Sequence, residues 1–84
     1  MRAASMTLRI RPAPNDDPAI LRLEGRLGGE EVPELERSLE AGVRVLDLQD
    51  LVSVDAEGLE ALRGLRERGV EIRNASHYLG LRLA

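Results

Sequence analysis

Apolar and polar residues alternate strictly in residues 7–11, and they alternate again in residues 19–24, where Leu21 and Leu23 share one face. A period of two is typical of a strand that buries one face. Residues 12–18 lie between the two segments and contain proline, asparagine and aspartate, which favour turns. The pattern therefore predicts two antiparallel strands joined by a turn.

Glycines in residues 25–29 break the alternation, and we interpret them as turn residues. A helix is predicted next, over residues 31–41, because an apolar stripe recurs there at helical spacing. Pro33 falls in the first turn of this helix, where proline is tolerated, and Gly42 follows it as the C′ residue. The stripe consists of Val32, Leu35 and Leu39.

Residues 43–48 form an almost continuous apolar run, which predicts a central strand covered on both faces. A short loop then leads to Asp55, a natural N-cap for a second helix that ends at Gly69. Residues 70–73 alternate as a last strand, and Ser76 is placed to cap a short terminal helix. The apolar stripe of the second helix consists of Ala56, Leu59, Leu62 and Leu65.

The predicted order of elements is β-β-α-β-α-β-α. Strands that alternate with helices run parallel with right-handed crossovers, whereas the first hairpin adds an antiparallel strand. The expected fold class is therefore α/β, with a small mixed sheet of about four strands and helices packed against it. A chain of 84 residues builds one small core, so residues 7–84 are expected to form a single domain and residues 1–6 a flexible N-terminal arm.

The composition narrows the possible functions. The chain has no cysteine, which excludes disulfides and thiolate catalysis, and its net charge is −3 without a basic stripe, which argues against nucleic-acid binding. No apolar run approaches the roughly 20 residues that span a bilayer, and no secretory signal is recognisable at the N-terminus. We therefore expect a cytoplasmic protein that needs no cofactor.

Acidic residues offer the main candidate chemistry. Asp47, Asp50 and Asp55 are expected to cluster around the end of the central strand, where carboxylates could perform acid–base catalysis or hold Mg²⁺. The stronger interpretation is structural: Asp50 closes a turn, Asp55 caps a helix and Asp47 lies on the surface. His77 is the single histidine and has no second His or Cys to complete a metal site. We therefore expect no metal, no catalytic residues and no enzymatic activity.

The start of the second helix combines exposed N–H groups with negative charge. Helix N-termini attract anions because their first N–H groups are unpaired. Asp55 and Glu57 already supply negative charge there, so a phosphate would be repelled. A nucleotide site is disfavoured for the same reason, and because the chain contains no lysine for a phosphate loop.

From Leu21 onward the chain resembles a STAS domain, the fold of bacterial anti-sigma-factor antagonists. The order and spacing of several short segments carry the resemblance. The matching segments are residues 21–27, the helix through Glu40, residues 45–48, residues 54–62 and residues 68–76. The resemblance implies the same α/β arrangement that the periodicity predicts.

In signalling members of that family the segment at the helix start reads Asp-Ser-Ser-Gly-Leu, and a partner kinase phosphorylates the second serine. Here Asp55, Gly58 and Leu59 match, whereas Ala56 and Glu57 replace the two serines. The chain therefore has no phospho-acceptor at this site, because Glu57 occupies that position. The resemblance implies a non-catalytic protein-interaction module that lacks the serine switch and binds its partner through these five residues.

The family also suggests the class of partner. The expected partner is an anti-sigma factor of the serine-kinase-like ATPase type. The alternative is that the chain is an accessory STAS subunit of a membrane transport system for lipids or anions. STAS domains usually carry a longer last helix than residues 77–84 allow, so part of the sheet is expected to be open to a partner or to a second copy in a homodimer.

Overall fold

The computed structural model describes residues 8–12, 17–40 and 42–83 and contains a mixed sheet with helices packed against it. The strands are β1 (Arg9–Pro12), β2 (Ile20–Leu27), β3 (Val45–Val54) and β4 (Glu71–Arg73). The helices are α1 (Val32–Leu39), α2 (Ala56–Glu67) and α3 (His77–Leu83), and a short 3₁₀ helix (Gly29–Glu31) precedes α1. The α/β class and the order of elements are confirmed, whereas the predicted arm at residues 1–6 lies outside the described residues.

The strands lie in the order β1-β2-β3-β4. β1 pairs antiparallel with β2, and β2–β3 and β3–β4 are parallel pairs, as expected. Right-handed crossovers between neighbouring parallel strands place α1 and α2 on the same face of the sheet. Pro12 was assigned to the turn, which is wrong, because it pairs with Leu21 at the end of β1. β1 is an edge strand, where proline is tolerated.

One face of the sheet packs against the helices, and the other is mostly polar but includes Val45. Leu46 and Leu48 belong to the core under the helices, whereas Asp47 between them lies on the opposite face, beside Arg73. The prediction that the central strand is covered on both faces therefore holds at Val45 and Leu46, which are both buried, and is wrong from Asp47 onward. The core is almost entirely leucine. Its fully buried side chains are Leu23, Leu27, Leu35, Leu46, Leu48 and Leu62.

β3 is longer than the sequence pattern predicted. The strand continues to Val54, directly before Asp55, so the expected loop between them is wrong. Two irregularities in its pairing with β2 explain the difference, because β3 gains a residue at each of them. The bulges at residues 48–49 and at Val52 reset the alternation. As a result the core-facing residues in the second half of β3, which are Leu48, Leu51 and Val54, are three residues apart rather than two.

β2 also runs past the predicted break. It ends at Leu27 rather than Glu24, because Gly25 adopts φ of +89° inside the strand and allows the pairing to continue. The end of β2 and the end of β3 therefore lie side by side, with Leu27 opposite Val54. This pairing determines where the segment after β2 meets the start of α2.

The helices keep their predicted positions with shorter bounds. α1 begins at Val32 and ends at Leu39, and only Leu35 of its predicted stripe is fully buried. In α2 the leucines of the stripe are buried, but Ala56 is exposed, which corrects its assignment to the apolar face. No helix of the described part of the chain is long and apolar enough to cross a membrane.

Local signals fix the helix ends. Ser76 caps α3, since its Oγ accepts the Leu79 N–H at 3.1 Å. Gly69 ends α2 with φ of +102°, and the Val70 N–H donates to the Leu65 carbonyl at 3.0 Å. These contacts form the six-to-one hydrogen bond of a glycine-terminated helix. β4 begins one residue later than predicted, at Glu71, because Val70 takes part in this helix end.

Candidate functional site

Asp55 joins two segments that are distant in sequence. Its Oδ1 accepts the Gly58 N–H at 2.7 Å, which caps α2 as predicted. Its Oδ2 accepts the Gly29 N–H at 3.1 Å, and its own N–H donates to the Leu27 carbonyl at 3.1 Å. The N–H groups of Gly58 and then Gly29 hold the pKa of Asp55 below its ordinary value, because they stabilise the ionised carboxylate. We call residues 28–29 and 55–59 together the α2 corner.

Gly28 and Gly29 form part of this corner, which the sequence interpretation as plain turn residues missed. The Gly28 N–H donates to Glu31 Oε1 at 2.8 Å, and the Glu31 N–H donates back to the Gly28 carbonyl at 3.0 Å. A glutamate three residues after a helix-capping position is the signature of such a reciprocal pair. The Gly28…Glu31 spacing was therefore a usable signal, although it does not reveal the contact with Asp55.

Gly58 allows α2 to approach the strand ends closely. A Cβ at this position would lie 2.5 Å from the Leu27 carbonyl oxygen and 3.0 Å from Val54 Cγ1. Both atoms belong to the paired ends of β2 and β3, so the first turn of α2 rests directly on the sheet. A glycine is needed here for space, which explains why one stands in the first turn of a helix.

Glu57 is exposed and its side chain lies over Gly29. A side chain at Gly29 would overlap the carboxyl group of Glu57, so the two positions are in direct contact. Within the described residues no cation or hydrogen-bond donor engages the Glu57 carboxylate. This carboxylate is therefore the unengaged negative charge of the corner, on a side chain that has a defined neighbour.

The predicted partner-binding residues divide into two groups. Ala56 and Glu57 are exposed, and Asp55 is half-buried with both carboxylate oxygens engaged. Gly58 and Leu59 are buried, so they position the corner and do not face solvent. The surface that a partner could touch is therefore smaller than the five-residue edge that the sequence predicts.

The acidic residues do not cluster as expected. Because β3 continues to Val54, Asp47 and Asp50 lie along the strand and Asp55 lies beyond its end. Asp50 closes no turn but pairs with Arg22, with 2.7 Å between its Oδ2 and Nη2. Asp47 Oδ1 accepts the Gln49 N–H at 2.9 Å and the Asn74 side-chain amide at 3.0 Å. In the part of the chain that the structure describes, no group of acidic residues and histidines could hold a metal ion.

Two cavities of the described structure lie away from the corner. One of about 370 Å³ lies between the C-terminal ends of α1 and α2, and another of about 360 Å³ lies between α2 and α3. No residue of the α2 corner lines either of them. His77 lies at the start of α3, where it is exposed.

Comparison with known proteins adds no family to this description. No protein-family model matches the chain, and no curated protein matches it in sequence.

Proposed function

We propose that the chain is a non-catalytic protein-interaction module that binds its partner through the exposed side of the α2 corner. The observation that carries the proposal is the Glu57 carboxylate, which is exposed and has no ion-pair partner among the described residues. Asp55 ties the corner together through Gly58 and Gly29, and Gly58 packs against the strand ends. A charge held on a preorganised base loses little conformational entropy when a partner binds.

The separation of the acidic residues supports binding rather than catalysis. Asp47, Asp50 and Asp55 are each engaged by hydrogen bonds or an ion pair within the fold, and they point to different parts of the sheet. General acid–base catalysis needs a carboxylate that can reach a substrate proton, rather than one held by contacts inside the fold. These three carboxylates are placed as structural groups.

The resemblance to STAS domains suggests which partner the corner binds. In this proposal the partner is an anti-sigma factor of the serine-kinase-like ATPase type, and Glu57 stands where such a kinase would modify serine. Glu57 carries a charge of about −1, compared with about −1.5 to −2 for phosphoserine, and it has no hydroxyl to modify. Phosphorylation therefore cannot switch this module between a binding and a non-binding state. The partner contributes an arginine or lysine to the contact with Glu57.

Two charge reversals on α2 test the proposal. The wild-type chain and the variants Glu57→Arg and Glu67→Arg are used for affinity capture from the native host, followed by mass spectrometry and by calorimetric titration of the recovered partner. Glu67 is exposed at the other end of the same helix, so its reversal changes net charge equally. We expect Glu57→Arg to weaken binding at least about tenfold, the factor for the loss of one favourable charge contact, and Glu67→Arg to leave it unchanged.

Stability is measured alongside, since a surface substitution changes the free energy of unfolding by about 0.5 kcal/mol or less. Equal affinities of the two variants would contradict the proposed contact. A Glu57→Ser variant that the recovered partner phosphorylates in the presence of ATP would identify the partner as a kinase. Recovery of transporter subunits, with the Glu57→Arg effect retained, would keep the contact and assign the chain to a transport system instead.

A further inference from the structure

Half of β3 has a strand neighbour on one side only. β2 pairs with β3 as far as Val54, whereas β4 pairs only with residues 45–47 of β3. Among the described residues no strand lies beside residues 48–54 on the β4 side. We call this side of residues 48–54 the free edge. A free edge presents backbone N–H and C=O groups that can pair with another extended chain.

The side chains along the free edge define what such a chain would look like. Leu48 and Leu51 are buried in the core face, so neighbouring positions of an added strand would rest beside apolar groups. On the other face Asp50 is exposed and pairs with Arg22 through its Oδ2, and Val52 is 73% exposed. Glu57 adds a second exposed acidic group just past the end of the edge.

We infer that the free edge binds an extended segment of another protein, which adds as a strand beside residues 48–54. The segment alternates apolar and basic side chains, because alternate positions face the leucines and the acidic groups. The backbone of the free edge lies outside the α2 corner, although Glu57 adds negative charge to both surfaces. Strand addition uses that backbone, so the inference does not depend on the proposed function of the α2 corner.

A second copy of this chain fits the edge less well. Two copies paired antiparallel about the middle of the edge would bring the two Asp50 side chains near each other, and the chain is acidic overall, with a net charge of −3. The bulges at residues 48–49 and at Val52 also twist the edge, which hinders pairing with a second rigid sheet. A short flexible segment can follow this twist.

A synthetic peptide tests the inference on the full chain. The probe is a capped seven-residue peptide of alternating valine and arginine, titrated into the isotope-labelled protein and followed by NMR. Two control peptides carry N-methyl groups on either the odd or the even residues. An added strand turns alternate N–H groups toward the edge, so only one of these controls loses binding. We expect the amide signals of residues 48–54 to shift and to gain protection from hydrogen exchange.

Charge variants at Val52 give a second readout. Because this side chain is exposed, Val52→Lys and Val52→Glu leave the core intact. We expect Val52→Lys to weaken binding of the probe by about fourfold and Val52→Glu to strengthen it by a similar factor, as for unit charges about 5 Å apart in water. Glu34→Gln, on the exposed surface of α1, changes the net charge by the same single unit as Val52→Lys and should leave the affinity within about twofold.

Three outcomes would overturn the inference. Equal binding of both N-methylated peptides would show that the peptide binds through its side chains without adding as a strand. Signal shifts confined to other surfaces would place the peptide elsewhere. Concentration-dependent shifts of residues 48–54 without peptide would show that a second copy occupies the edge.

Discussion

A methyl group added at Gly58 tests whether close packing fixes the first turn of α2. The new Cβ would lie 2.5 Å from the Leu27 carbonyl oxygen and 3.0 Å from Leu27 Cγ and Val54 Cγ1. The carbonyl oxygen is a backbone atom that also accepts the Asp55 N–H. It cannot move away from the methyl group without disturbing the residue that caps the helix.

Two effects of Gly58→Ala oppose each other. In an open helical position, replacement of glycine by alanine gains about 0.8–1 kcal/mol from helix propensity. Overpacking of a close contact costs about 1–3 kcal/mol, and contact with backbone favours the upper end. We expect a net loss of about 2 kcal/mol in the free energy of unfolding. In a domain of this size this loss lowers Tm by roughly 8–16 °C.

Urea unfolding followed by circular dichroism measures the effect, and Gly64→Ala is the matched control. Gly64 lies in the same helix, but no atom lies within 4 Å of the position its Cβ would take. This variant is therefore expected to gain about 0.5–1 kcal/mol. If Gly58→Ala is as stable as Gly64→Ala, the first turn of α2 is not in tight contact with the strand ends.

Three further predictions concern stability. Gly58 and Gly29 lower the pKa of Asp55, so ionised Asp55 stabilises the fold above pH ~4 and this contribution disappears as the pH falls through its lowered pKa. The thermal midpoints of the wild type and Asp55→Asn should therefore differ at neutral pH and converge near pH ~2, whereas a constant difference would contradict this linkage. Asn74 has φ of +58°, so Asn74→Ala should cost about 1–2 kcal/mol in urea unfolding and Asn74→Gly clearly less. Leu62 is fully buried, so Leu62→Ala should cost about 2–5 kcal/mol, and a smaller loss would indicate that the core collapses around the missing side chain.

The elements that follow a simple period could be predicted from the sequence. In β2, Leu23 is completely buried and its neighbour Arg22 reaches Asp50 on the polar face, as strict alternation requires. In α2, Leu62 and Leu65 repeat at helical spacing and both are buried. These predictions succeeded because the regular strand or helix period of each segment alone determines which side chains point to the core.

The second half of β3 could not be predicted in this way. Its core-facing residues, Leu48, Leu51 and Val54, are three apart, because the bulges each add a residue to the strand. A spacing of three does not match the period of a strand and was interpreted as a loop with a turn at Asp50. The bulges arise from pairing with β2, which is long-range information that the local pattern does not contain. Because the second half of β3 was interpreted as a loop, Asp47, Asp50 and Asp55 were also predicted to cluster together.

The α2 corner shows the same division between local and long-range contacts, with a consequence for function. The cap from Asp55 to Gly58 spans three residues and was predicted, whereas Gly29 lies 26 residues from Asp55 and was not. Because Gly29 takes the second oxygen, Asp55 has each carboxylate oxygen engaged by a backbone N–H. An incoming cation would have to compete with these bonds at Asp55 but not at Glu57. Under the proposed function, the contact with Gly29 therefore favours Glu57 over the capping aspartate as the carboxylate that a partner would contact.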